Sequence, residues 1–212
     1  MRSAGTSLSR ALILLLARFL TAVRARWDGA PPTTEQRIYY ANHASHGDFV
    51  LVLAVLPRRP RSAARPVAGS DYWLKSGVRR FIGRDVFNAV LIDRDRVSRT
   101  NDPIAQMTDA LDAGFSLIVF PEGTRNSTEA PILPFKSGLF HLAKARPSIG
   151  LVPVWIDNLN RVMPKGEFVP IPLICTVTFG TALHIAATEA KREFLARTEA
   201  ALLALSPKAS PP

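Results

Sequence analysis

A chain of 212 residues, 47% of them hydrophobic, can bury one good core, so a single domain is expected. At 21% charged residues it is no disordered polyelectrolyte, and its lone cysteine excludes an internal disulfide framework or a cysteine-based metal cluster. The formal net charge of +10, from 27 Lys plus Arg against 17 Asp plus Glu, favours anionic partners: lipid headgroups, phosphorylated metabolites, acidic carriers or nucleic acid.

Residues 11–23 form an apolar run broken by Arg18, with Arg10 before it and Arg24 and Arg26 after it. A membrane span asks for about 20 mostly apolar residues, and this run is shorter. At roughly 100° per residue, Arg10, Arg18, Thr21 and Arg24 share one face while Leu, Ile, Phe and Ala fill the other. That pattern predicts a helix lying in a membrane interface with its arginines reaching for anionic headgroups. A secretory signal, a true span and an ordinary core helix are the rivals; no Ala-x-Ala-type cleavage site follows cleanly. Residues 1–30 are therefore read as a membrane-associating segment, 31–205 as the main domain and 206–212 as a loose tail.

After a loop at 28–34, Arg37–Ala41 reads as a strand. Ser45 is positioned to cap a helix over 46–56 with Asp48 at its third position, and Pro57 stops it. A basic loop over 57–65 leads to a short strand near 66–69, a helix over 71–82 and a strand at Val90-Leu91-Ile92. Asp102-Pro103 opens a helix whose apolar face is Ile104, Met107 and Leu111, ended by Gly114. Residues 115–120 predict a strand covered on both faces. Ser137–Arg146 reads as a helix, Ile149–Trp155 and Ile171–Phe179 as strands, and Glu189–Leu205 as a final helix. Cys175 falls within the last of these strands, where a buried, inert thiol is expected. Strand–helix alternation predicts a single α/β domain with a mixed central sheet flanked by helices.

Two stretches carry chemistry. Asn42-His43-Ala44-Ser45-His46-Gly47-Asp48 places an imidazole, which can take a proton near neutral pH, five positions from a carboxylate. If the chain turns from strand into helix between them, Asp48 can fix the His43 tautomer. The plainer reading makes Asp48 half of a capping box with Ser45 and His43 a loop residue. Ser45 is a cap in preference to a nucleophile, because no Gly-x-Ser-x-Gly elbow occurs. His43, His46 and Asp48 suggest a metal, yet His141 and His184 stand alone in apolar surroundings, so no metal is expected. The second stretch, Glu122-Gly123-Thr124-Arg125, follows a strand, where α/β sheets place ligand sites. Gly123 permits close backbone approach, and Arg125 can grip a phosphate with a bidentate fork. Arg94, after Val90–Ile92, is its natural companion, and Lys136 is a weaker third cation. Basic residues at strand ends, without interleaved aromatics, argue against nucleic acid.

These stretches resemble the blocks of the glycerolipid acyltransferase family related to 1-acylglycerol-3-phosphate acyltransferases, in order, over roughly residues 37–180. Asn-His-x-Ser-x-x-Asp is met in full by Asn42, His43, Ser45 and Asp48. Gly-x-x-Phe-Ile-x-Arg is met from Asn88 to Arg94, with Asn88 for the glycine and Leu91 for the phenylalanine. Phe-Pro-Glu-Gly-Thr-Arg-Ser runs from Phe120 to Asn126, differing only at the last position, and Phe135-Lys136-x-Gly138 follows. Leu151-Val152-Pro153-Val154 meets the hydrophobic-proline block.

The resemblance implies His43 as general base, Asp48 as its partner, and Arg94, Glu122, Gly123, Thr124, Arg125 and Lys136 as acceptor-binding residues, supported by Asn42, Ser45 and Pro153. It implies acyl transfer from acyl-CoA or acyl carrier protein to a lysophospholipid at the cytoplasmic face of a membrane, without a cofactor. 1-Acylglycerol-3-phosphate, giving phosphatidic acid, is the expected acceptor, and a lyso-aminolipid is the alternative. A non-enzymatic membrane-binding or lipid-transfer module and a hydrolase of phosphorylated or acylated substrates are the rival classes.

Overall fold

Short apolar runs buried on both sides can satisfy their backbone groups only through lateral neighbours, and here they pair into one mixed sheet. The computed structural model describes residues 4–93, 102–157 and 174–207. Its strands are β1 (Arg24–Trp27), β2 (Arg37–Ala41), β3 (Ala64–Gly69), β4 (Val90–Ile92), β5 (Ser116–Val119), β6 (Gly150–Asp157) and β7 (Thr176–Phe179). They lie in the order β1-β7-β6-β2-β5-β3-β4. Every neighbouring pair is parallel except β6 with β7. Alternate residues of β2 serve opposite faces. Tyr39 and Ala41 join one buried cluster, while Ile38 and Tyr40 join the other.

The first cluster is covered by α1 (Ala4–Thr21), α2 (Asp48–Val55) and a wide π-type turn at Phe81–Val86. Between α2 and that turn come α3 (Arg58–Ala63), α4 (Ser70–Trp73) and α5 (Gly77–Arg80). The second cluster is covered by α6 (Pro103–Asp112), α7 (Gly138–Ala145) and α8 (Lys191–Leu203). Asp102 caps α6 as expected, its Oδ1 accepting the Ile104 N–H at 2.8 Å. Cys175 is fully buried, and burial pushes its thiol up to about 11.

Several elements depart from expectation for local reasons. The basic stretch expected as a loop forms α3, since Pro60 falls in the first turn, where helix N–H groups lack partners anyway. The helix expected over 71–82 breaks at Ser76-Gly77, where Ser76 Oγ accepts the Arg79 N–H and starts α5 afresh. Arg24, expected on the N-terminal helix, instead opens β1, so the sheet begins before residue 30. The strand expected over 171–179 is seen as Thr176–Phe179, and residues 158–173 and 208–212 lie outside the described residues.

The larger correction concerns α1. Its arginines face the protein. Arg10 is buried and donates to Arg61 O at 2.8 Å, while Arg18 Nε donates to Ala54 O at 2.7 Å. Both acceptors lie in the last turns of helices, where the dipole favours a cation, and Arg61 O also accepts the Ala64 N–H. Satisfying them turns the apolar stripe outward: Leu8, Leu12, Leu15, Leu16 and Phe19 are exposed, Phe19 by 83%.

Candidate active site

The carboxyl ends of β2, β3, β4 and β5 surround a cavity of about 800 Å³. This is where parallel α/β sheets bind ligands. β2 ends at Ala41, and Asn42 then locks its exit: Asn42 Nδ2 donates to Ile156 O at 3.0 Å, and Ile156 N–H donates back to Asn42 Oδ1 at 2.7 Å. His43 follows, lining the cavity with its ring stacked on Phe120 at 4.2 Å.

His43 Nδ1 and Asp48 Oδ2 are 2.8 Å apart. The same oxygen accepts the Ala44 N–H at 2.8 Å and the Ser45 N–H at 2.9 Å. Asp48 is only 1% exposed, and its Oδ1 meets no donor among the described residues. An oxygen already holding two N–H groups accepts the third as well, so Nδ1 carries the proton and Nε2 keeps its lone pair. Asp48 thus performs both jobs considered for it, with one oxygen. Ser45 does not cap α2 as expected. The helix starts at Asp48 after Gly47, and Ser45 Oγ accepts the Gly47 N–H at 3.2 Å within the turn.

Glu122 was expected to touch the acceptor. It is 1% exposed and does not line the cavity. Oε1 accepts the His43 N–H and Oε2 the Leu133 N–H, each at 2.8 Å. Burial raises its carboxyl above the ordinary range, and the two backbone N–H groups work against that rise. Its service is to join the His43 turn to the loop after β5, a tie strengthened by the 2.6 Å bond from Asn126 N–H to His43 O.

Gly123 has φ +71°, a conformation that favours glycine, and a Cβ there would press on the Lys136 stem at 3.2 Å from Cγ. Thr124, Arg125 and Lys136 line the cavity with Gly123. Neither Arg125 nor Lys136 is paired with a carboxylate among the described residues. Arg94 lies outside the described residues. Pro153 sits in β6 against Gly180, away from the cavity lining.

His46 enters the site in a way its position did not disclose. Its ring stacks on Tyr72 at 3.9 Å, and the Arg79 guanidinium lies 4.3 Å from the Tyr72 ring centre. Burial, then the charges of Arg125, His43 and Arg79, push the His46 imidazole down to about 4. A neutral ring therefore faces the cavity at physiological pH. The opposite wall is apolar, with Ile104 and Met107 from α6 and Leu139 and Leu142 from α7.

Residues 26–157 match the sequence pattern of the Acyltransferase family. The chain belongs to that family. Over 163 residues it is 32% identical to the 1-acyl-sn-glycerol-3-phosphate acyltransferase alpha of Mus musculus, covering 74% of this chain and 53% of that relative. The 1-acyl-sn-glycerol-3-phosphate acyltransferase of Salmonella typhimurium is 29% identical over 131 residues, covering 58% of this chain and 48% of the relative. The chain spans about half the length of these curated relatives. The crystal structure of the 1-acyl-sn-glycerophosphate acyltransferase of Thermotoga maritima shares the fold, with a TM-score of 0.69 at 21% identity, covering 96% of this chain and 81% of that one.

The departures of this family member from the blocks are conformationally mild. Asn88, standing for glycine, adopts φ +54°, a region asparagine tolerates better than most residues. Asn126 turns into its own loop: its Oδ1 accepts the Thr128 N–H at 2.9 Å, and Nδ2 donates to Ala130 O at 2.7 Å.

Two outcomes follow from this geometry. In Glu122→Gln the amide offers one acceptor to two buried N–H groups, so stability should fall by about 1–3 kcal/mol in denaturant titration. An unchanged midpoint would show that the two bonds contribute nothing. His46, held below its unfolded value of 6.5, contributes stability that is complete above that value and is lost as pH falls toward about 4. The unfolding temperature of His46→Gln should therefore decline less steeply across that window than that of the parent protein.

Proposed function

We propose that the protein transfers a fatty acyl group from acyl-CoA or acyl carrier protein to the free hydroxyl of a lysophospholipid, with 1-acylglycerol-3-phosphate as acceptor and phosphatidic acid as product. The observation that carries this reading is the 2.8 Å contact between His43 Nδ1 and Asp48 Oδ2 at a cavity that also holds Arg125 and Lys136. With Nδ1 committed, Nε2 is the nitrogen free to accept the hydroxyl proton. As it does so, the acceptor oxygen attacks the thioester carbonyl carbon and Asp48 stabilises the imidazolium. Collapse of the tetrahedral intermediate breaks the C–S bond, and the departing thiolate takes the proton back from His43. No residue of the enzyme needs to be acylated.

Oxyanion stabilisation is drawn from the same turn. The N–H groups of His43, Ala44, Ser45, Gly47 and Asp48 are all engaged, whereas that of His46 meets no acceptor among the described residues. We assign the His46 N–H to the developing oxyanion. Arg125 and Lys136 bind the acceptor phosphate, and Arg94 takes the same role in this proposal. The apolar wall of α6 and α7 accommodates an acyl chain. Association is with the cytoplasmic face of a membrane, as a peripheral or monotopic protein: α1 lays its exposed leucines and Phe19 into the headgroup–acyl boundary. A lysolipid and a diacyl product both partition into that boundary.

The deciding assay supplies labelled acyl-CoA, and separately acyl carrier protein, with a panel of lysolipids. His43→Ala should lower transfer by roughly 10²- to 10⁴-fold. A near-parental rate removes His43 as the base, and thioester consumption without acylated lipid would make the protein a hydrolase. Arg125→Met should raise the KM for a phosphate-bearing acceptor by roughly tenfold to a hundredfold, the worth of a hydrogen bond to a charged group, while leaving that of the thioester unchanged. Equal loss on both substrates would place Arg125 elsewhere in the reaction.

A further inference from the structure

The segment Ser70–Val86 has an unusual division of labour. Its inward side is well packed. The Trp73 ring lies 5.8 Å from that of Phe49, Val86 is fully buried, and Gly83 comes so close to the Trp73 indole that a Cβ would sit 2.8 Å from Cε3. Its outward side nevertheless shows three large apolar residues: Leu74 at 43%, Val78 at 70% and Phe81 at 42% exposure. Single exposed apolar residues need no explanation, but three on one short, rigidly packed segment do. Exposed Lys75, Arg80 and Arg84 lie between and beside them, and the segment's four cations outnumber its two carboxylates, Asp71 and Asp85.

Position adds to composition. The π-type turn at the end of the segment packs against α1, and Ile82 and Trp73 meet the same core cluster as Ile13 and Ala17 of α1. Two apolar surfaces thus lie in one layer of the fold, on adjoining elements. The segment also reaches the site, because Tyr72 and Trp73 line the cavity.

We propose that Ser70–Val86 is a second bilayer-contacting element beside the cavity. Leu74, Val78 and Phe81 enter the headgroup–acyl boundary of an anionic bilayer, and Lys75, Arg80 and Arg84 meet its phosphates. The proposal deepens, and for its orientation rests on, the reading of α1 as a membrane-binding helix. Apolar residues interleaved with cations fit such an interface, where each basic residue near an anionic surface strengthens binding several-fold. Its place beside α1, with cations in excess of carboxylates, favours an anionic lipid surface over a protein partner. Through Tyr72, stacked on His46, the bilayer contact ends on a wall of the active site, so a lysolipid passes from the boundary to the cavity along this segment.

The 212-residue chain suits a direct test because Cys175, its single cysteine, is buried. Val78→Cys and, in a separate protein, Leu12→Cys are labelled with an environment-sensitive nitrobenzoxadiazole dye, with the unsubstituted protein as the labelling control. Each is mixed with phosphatidylcholine vesicles containing phosphatidylglycerol. Both labels should shift to the blue and be quenched by lipids spin-labelled high on the acyl chain. A response at residue 12 without one at residue 78 overturns the second element and leaves the α1 reading standing. No response at either removes both. A shift at residue 78 with acidic acyl carrier protein but not with vesicles also overturns it, making the segment a carrier-docking surface. In an independent variant, Lys75→Gln, Arg80→Gln and Arg84→Gln together should weaken vesicle partitioning by roughly a hundredfold at low salt. Unchanged partitioning refutes the proposed role of the cations.

Discussion

A single buried carboxylate oxygen organises the His43 turn. Asp48 Oδ2 gathers the imidazole and two backbone N–H groups into one small volume, which fixes where the ring points and where α2 begins. Burying a carboxylate costs several kcal/mol unless it is well bonded. Three donors on one oxygen supply that compensation and leave the turn little freedom. Glu122 repeats the device one strand over, with both its oxygens on backbone N–H groups. Two buried acids, neither lining the cavity, therefore hold the groups that do. The arrangement resembles a keystone pair more than a row of independent contacts.

Sequence reasoning reached the parts governed by short-range rules. The Asp102-Pro103 start of α6, the buried strand β5 and the strand-to-helix turn between His43 and Asp48 all depend on residues a few positions apart. What it missed depends on distant partners. The wheel of α1 showed a polar face but not where that face goes. Its direction is set by Ala54 O and Arg61 O, helix-end carbonyls whose positions no local pattern encodes. Glu122 sits in a loop that a reader would give to the substrate. Its 79-residue link to His43 is written only in the pairing of β2 with β5. The stack of His46 on Tyr72 was equally invisible, because it joins the turn after β2 to the segment after β3.

Electrostatics divide the cavity. One end holds Arg125 and Lys136 beside a histidine kept neutral by burial and by positive charges that include Arg125, and the other is hydrocarbon. A molecule with an anionic head and a long apolar tail matches that division better than a uniformly polar metabolite. Neutral His46 also spares the site a third cation that would compete for the head.

The register of β2 on β5 has a consequence for how such a site changes over time. Tyr40 lies opposite Val119, and the next steps along both strands bring His43 level with Glu122, where they bond. Two of the stretches between the strands reach the cavity as walls: residues 69–73 on one side and 103–107 on another. Those walls can lengthen, shorten or exchange side chains while the paired strands keep His43 and Glu122 in step. The side chains of those two walls can drift without dragging the His43–Glu122 bond along.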